Sequence, residues 1–600
     1  MRSAWRVCAT LLLSTALFAQ TSTPSKPKKA KAAALTAADV QALRDAIAAQ
    51  QAALAEQQKE IQELREELHG KDQAVQQAQS AATDAATKAD AAQAQTAQQQ
   101  QTVTAIKSDV ADLKTGMSST VQTLQETQKQ ISEPPTTIHF RGITLTPGGF
   151  LAAESVRRSR ALGSDINTPF NSVPLPYSSQ AYESEFFGSG RQSRISMLAE
   201  GKLKNARLSG YYEADFLSAG VTSNNNESNS YTLRQRQVWG QAAFDNGWSF
   251  TGGQQWSLVT ETKHGLDNRT EALPMTIDPQ YHVGFSWTRQ YGARLVKNFD
   301  NKVWFGVSAE NAQATLTSHN NAANFLVGTA GVTGGLYDNQ SNYSFNPSPD
   351  FIAKLAFEPG FGHYEVFGIY SRFRDRVYPC GEIATGGTCD GQTVASALGA
   401  YDSSKNGGGI GVNMRWSFIN KHLDFGVHGL TGEGIGRYGS AGLSDTAVHP
   451  DGSLALIRSY QGLATLEWHG PKIDIYLNAG SEYAGRQAYI DPISGKAVGY
   501  GNPLFSAASC YTEVPPGSGG FSPGSVSSCF GDTRAITEGT IGFWYRLYNG
   551  SKGRVQFGPQ FSYVNRATWA GEVSSATCPN GCEPHGIDGM IFTSFRYYLP

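Results

Sequence analysis

Arg234 and Arg236 stand two residues apart in a stretch that alternates oily and polar positions, so on a strand they share one face. Arg191 and Arg194 sit on what reads as a neighbouring strand. A guanidinium is a rigid, forked donor suited to carboxylate and phosphate. From Thr136 onward the chain holds 24 arginines and 11 lysines against 37 Asp and Glu, so arginine is the preferred cation. Arg372, Arg374 and Arg376 make a second ladder, closer to an outer rim. Such ladders suit a general lining paired with acids, a constriction favouring anionic solutes, or lipopolysaccharide contact near a rim. The segment Val259 to His282 carries Glu261, Lys263, Asp267, Arg269, Glu271 and Asp278. Folded inward, it places acids opposite the arginine wall and sets a transverse field across a narrow point.

Other chemistry is thin. Gly434-Ile435-Gly436-Arg437-Tyr438-Gly439 matches G-x-G-x-x-G, but a dinucleotide site needs a strand before it and a helix after it, and here the motif opens a long loop. There is no G-x-S-x-G, Walker loop or H-E-x-x-H, so no catalytic residue, cofactor or metal ligand is expected and the chain does not read as an enzyme. A net charge of -2 and a pI of about 6.6 argue against nucleic acid, which needs a strongly basic face. Six cysteines follow Cys8 as three close pairs, Cys380 and Cys389, Cys510 and Cys529, Cys578 and Cys582. In an exported chain these are disulfide candidates, with free loop thiols as the alternative.

Export is written at the N-terminus. Residues 1–19 have Arg2 and Arg6 ahead of an apolar run, the pattern of a cleaved signal peptide too short to span a bilayer. Residues 20–39 are a basic Pro/Lys linker, suited to a solvated tether or to contact with acidic cell-wall polymer such as peptidoglycan. From Val40 every seventh residue continues through Ile47, Leu54, Ile61 and Leu68 to Leu124 and Ile131, the seam of a coiled coil over 40–132. A helix that long has nowhere to bury its seam alone, so the chain must associate with copies of itself, and the heptads leave dimer and trimer open. Pro134 and Pro135 stop the helix.

Beyond them the period becomes two. In Ala206 to Phe216, Leu208, Tyr212, Ala214 and Phe216 alternate with Arg207, Ser209, Glu213 and Asp215. Sixteen such strands are expected between residues 149 and 599, joined alternately by tight turns, such as Asp245-Asn246-Gly247 and Pro359-Gly360, and by long loops. That is an all-β transmembrane barrel of about 16 antiparallel strands over 136–600, preceded by the α-helical coiled coil. Each cysteine pair falls in a long loop, outside the cell. Trp248, Trp256, Trp287, Trp416 and Trp468 near strand ends suit interfacial girdles. An even strand count returns both barrel ends to the short-turn rim, which puts the coiled coil in the periplasm.

Arg191-Gln192-Ser193-Arg194, the run Leu233 to Trp239 (LRQRQVW) and Gly253-Gln254-Gln255-Trp256-Ser257 resemble segments of the trimeric DcaP-like porins of Gram-negative outer membranes. The resemblance implies a homotrimer passing small anionic solutes, carboxylates among them, in contact with outer-membrane lipid and lipopolysaccharide. Pore-lining residues would then be Arg191, Arg194, Arg234, Arg236, Glu261, Asp267 and Glu271. The rival expectation is a structural tether or adhesin whose rod reaches the cell wall from a barrel anchor.

Overall fold

The computed structural model describes residue 107 and residues 137–218, 231–328, 343–520, 522–526, 529–572 and 583–600. The expected signal peptide, linker and coiled coil, and Cys578 and Cys582, lie outside the described residues.

Sixteen antiparallel strands close into a barrel. In chain order they are β1 (Ile143–Arg158), β2 (Arg194–Lys202), β3 (Ala206–Asp215), β4 (Arg234–Phe244), β5 (Trp248–Trp256), β6 (Arg289–Phe299), β7 (Val303–Glu310) and β8 (Asp350–Phe357). Then follow β9 (His363–Val377), β10 (Tyr401–Phe418), β11 (Leu423–Glu433), β12 (Arg458–His469), β13 (Ile473–Ala484), β14 (Thr533–Gly550), β15 (Gly553–Thr568) and β16 (His585–Tyr598). Each pairs with its sequence neighbour, and β16 closes the ring on β1 in a register running from Phe150 opposite Tyr598 to Arg158 opposite Met590. A short strand, Glu185–Ser189, extends β2 along the upper half of β1.

Alternation decides which face meets what. On β8, Phe351, Leu355 and Phe357 point outward and are exposed, whereas Asp350, Ile352 and Lys354 are buried inside. The same outward row continues through Phe305 and Val307 on β7, Ile475 and Leu477 on β13, Phe561 on β15 and Ile591 on β16. A contiguous apolar belt of this kind is unfavourable in water and fits the hydrocarbon of a bilayer. No helix among the described residues is long and apolar enough to cross a membrane.

All sixteen expected strands are present, with three starts moved by five residues or more: the first begins at Ile143 rather than at residue 149 and the tenth at Tyr401 rather than at residue 408. The sixth begins at Arg289 rather than at residue 284, because Gly284 (φ +88) turns the chain and Ser286 bridges to Gly439 inside the barrel. Two of the expected girdle tryptophans are also corrected. Trp256 and Trp287 pack on each other at 5.7 Å around Tyr281, within the lumen. Trp248 and Trp468 are exposed at strand ends beside the short turns, and Trp416 stacks on Phe425 there.

The ladder Arg372, Arg374, Arg376 lies on β9, but not on its inner face. Phe367, Ile369 and Phe373 take the buried positions, so the three arginines share the outer face with Val366 and Tyr370. Arg376 pairs with Asp402 at 2.8 Å.

Disulfides join Cys380 to Cys389 and Cys510 to Cys529, both in long loops. Closing chain segments of 9 and 19 residues contributes about 3 kcal/mol each in the chain-entropy model. Cys510→Ser with Cys529→Ser should therefore leave the barrel's heat resistance intact while the 485–532 loop becomes sensitive to trypsin, read on gels of folded protein.

Candidate functional site: a loop folded into an arginine-walled lumen

Residues 257–288, between β5 and β6, fold into the barrel and are held to its wall by their own backbone. Glutamates on five strands accept loop N–H groups: Glu310 from Leu258 at 2.8 Å, Glu365 from Thr262 at 3.0 Å, Glu467 from Met275 at 3.1 Å, Glu538 from Val283 at 2.9 Å and Glu482 from Gly284 at 2.8 Å. Gln560 accepts from Ile277 at 2.6 Å. A buried loop must satisfy its backbone groups somewhere, and charged acceptors give the stronger bonds. Glycines let the chains touch. A Cβ on Gly480 would collide with the Val283 carbonyl oxygen, and one on Gly284 with that of Gly462.

These anchors lie on β7, β9 and β12 to β15. The other side of the wall is arginine-rich. Arg236 on β4 reaches Glu213 at 2.6 Å and Asp215 at 2.8 Å, both on β3. Arg234 grips Asp215 at 2.8 and 2.9 Å. Arg194 on β2 lies 3.6 Å from Glu213. Arg191, just before β2, pairs with Asp165 at 3.3 Å. The two expected arginine pairs are thus not on neighbouring strands: β3 stands between them, and its Glu213 and Asp215 are the acids that meet them. Arg596 on β16 continues the wall, 2.8 Å from Glu154.

The loop acids go elsewhere. Glu261 is fully buried against Arg415 at 3.2 Å and His428 at 3.4 Å on the opposite side of the ring. Asp267 is exposed, 4.0 Å from His264. Glu271 accepts the Arg269 N–H at 3.3 Å. Burial raises the Glu271 carboxyl. Among the described residues no cluster of His, Cys, Asp and Glu could hold a metal ion.

Two cavities flank the loop. One of about 380 Å³ lies toward the short-turn rim, lined by Arg194, Arg554, Arg596, Tyr598 and the loop residues Met275 and Tyr281. The other, of about 440 Å³, lies toward the long-loop rim beside Trp287, Arg289 and Gln280. Arg289 opens β6, and its guanidinium rests over Trp256 at 5.0 Å and Trp287 at 5.2 Å. Sequence reading passed over Arg289. A lone arginine belongs to no ladder, and the second tryptophan of its cradle sat in a stretch expected to be strand.

The barrel shares its fold with a solved outer-membrane channel. DcaP of Acinetobacter baumannii is 13% identical, with a TM-score of 0.51 over 77% of this chain and 99% of its own. An anion-selective porin from Comamonas acidovorans is 10% identical over 76% of this chain and 100% of its own, with a TM-score of 0.39. OmpT of Vibrio cholerae is 10% identical over 77% and 99%, with a TM-score of 0.37. No protein-family model and no curated protein sequence matches the chain.

Two loop groups titrate in opposition. Burial pushes the Asp278 carboxyl up to about 7 and the His282 imidazole down to about 4. Glu538 faces both groups, and Asp278 acts on His282. Docking through a raised acid is complete below its free value of 3.8 and is lost as pH climbs through about 7. Docking through a lowered histidine is complete above 6.5 and is lost as pH falls through about 4. Across pH 4 to 6.5 the two offset each other. Asp278→Asn removes the loop acid's half of that balance, so on acidification over that window its conductance in planar bilayers should rise relative to wild type.

Proposed function

We propose that this protein is a porin, a passive diffusion channel of the bacterial outer membrane for small hydrophilic solutes, with a preference for anions such as carboxylates. It works as a homotrimer, with residues 40–132 as a periplasmic coiled coil ahead of a barrel over 136–600. The carrying observation is a closed barrel with an apolar belt outside and an inner arginine wall whose cations outnumber the acids facing them. Arg194, Arg234 and Arg236 meet Glu213 and Asp215 while Arg289 beside them has no acid partner, which leaves local excess positive charge in a narrow, low-dielectric passage. Likeness to the DcaP channel supports the fold on which this reading rests.

Single-channel recording in planar bilayers tests the reading. Triplet conductance steps with a reversal potential displaced toward anions are expected in a salt gradient. Folded protein without steps overturns the channel. One observation favours the tether as a second reading: loop residues Ile277, Val283, Leu443 and Ile457 pack an apolar cluster inside the barrel with Val156 and Tyr476. That packing narrows the lumen, and a lumen closed by it would leave the barrel as an anchor.

A further inference from the structure

We infer that Arg289, beside Trp256 and Trp287, is a binding station for a small oxyanion on the long-loop side of the inward loop. This rests on the channel reading and adds a site to it. The neighbours of Arg289 have partners: Arg234 and Arg236 hold Asp215, Arg194 faces Glu213, Arg294 donates to Asn268 Oδ1 at 3.0 Å, and Arg437, which lines the same 440 Å³ cavity, pairs with Asp350 and Asp445. Among the described residues no carboxylate pairs with Arg289, and its Nη1 is buried without a hydrogen-bond partner. The Thr288 hydroxyl beside it, which can donate, is unsatisfied in the same way and borders the same cavity. Arg236, Arg234 and Arg194 add their repulsion to Arg289.

Burying an unpaired cation is costly unless a counter-charge arrives, and a buried polar atom without a partner marks a place where a ligand's atom fits. The guanidinium lies about 5 Å from both indole rings at the border of the cavity, and a guanidinium can meet two oxygens of a carboxylate or a phosphate with two N–H groups. Gln280, whose Nε2 donates to the Ser440 carbonyl oxygen at 2.8 Å, fixes the far side of the cavity to the loop. Arg289 thus borders the cavity on the long-loop side of the loop, and Arg194 borders the second cavity.

The tryptophans report the site directly. Full-length protein in detergent is titrated with sodium acetate and, separately, sodium phosphate at constant ionic strength set with chloride, and the intrinsic fluorescence is followed. A saturable change is expected for at least one anion. Arg289→Gln should raise its half-saturation tenfold or more, Arg289→Lys should fall between, and Trp287→Phe should cut the amplitude. Acetate alone responding assigns the station to carboxylates, and phosphate alone to phosphates. Heat-modifiable mobility on gels confirms that each variant is folded. A conducting wild type whose fluorescence response survives unchanged in folded Arg289→Gln removes the site and leaves the channel. Wild type without conductance steps removes the channel, and the station's role with it.

Discussion

Replacing residues 259–286 with a short glycine-serine turn should raise single-channel conductance about threefold or more, because a sixteen-strand barrel is wide enough to hold an open aqueous lumen. The loop occupies that lumen in this protein. Its N–H groups are bonded to glutamates on five strands, so it is a fixed wall rather than a fluctuating tether. Removing it frees Glu365, Glu467, Glu482 and Glu538 to water, which hydrates them and costs the barrel little. A point variant reaches the same end by another route. In Gly480→Leu the new side chain must occupy the space of the Val283 carbonyl, so the 281–285 segment has to leave the wall while the rest of the loop stays. Conductance between wild type and the deletion is expected, together with noisier open-channel current. Unchanged conductance in the deletion would show that the narrow point is built elsewhere.

The barrel was legible in the chain because its constraint is local. Each strand must alternate between lipid and lumen, so Phe351, Leu355 and Phe357 against Ile352, Lys354 and Ala356 announces a strand without reference to any other. Turns such as Asp245-Asn246-Gly247 carry their own signal, a glycine at φ +85. Direction was harder where both faces are oily. In His363–Val377 the aromatic Phe367 and Phe373 face a lumen filled by the loop and its neighbours, which drives Arg372, Arg374 and Arg376 outward, and nothing in the spacing of those arginines says so. The loop's anchors were illegible for a different reason. Glu310 and Glu538 lie more than 200 residues apart, and their shared task becomes visible only when the ring closes. The acids of the arginine wall are close at hand, since Glu213 and Asp215 sit on the strand between the two arginine pairs, but the acid-rich run from Glu261 to Asp278 is the more conspicuous counter-charge in the sequence.

Arg234→Ala with Arg236→Ala should move the permeability ratio toward cations on the order of tenfold, the scale at which a charged cleft concentrates counter-ions. With both guanidiniums gone, Arg194 and Arg289 balance Glu213 and Asp215, and the excess positive charge disappears. The variant also leaves two buried carboxylates short of partners. Arg236 is 1 % exposed and Asp215 fully buried, so breaking that pair costs about 3–5 kcal/mol of folding stability. Selectivity and stability must therefore be separated. Arg236→Met with Glu213→Gln and Asp215→Asn removes the buried charges together, so the barrel should recover its heat resistance. Arg194, Arg234 and Arg289 then stand without acids, and the reversal potential in a salt gradient should move the other way, further toward anions than wild type. Opposite shifts in the two variants identify the arginine wall as the selectivity element. Shifts of the same sign, or none in either, would assign it to charges outside this cluster.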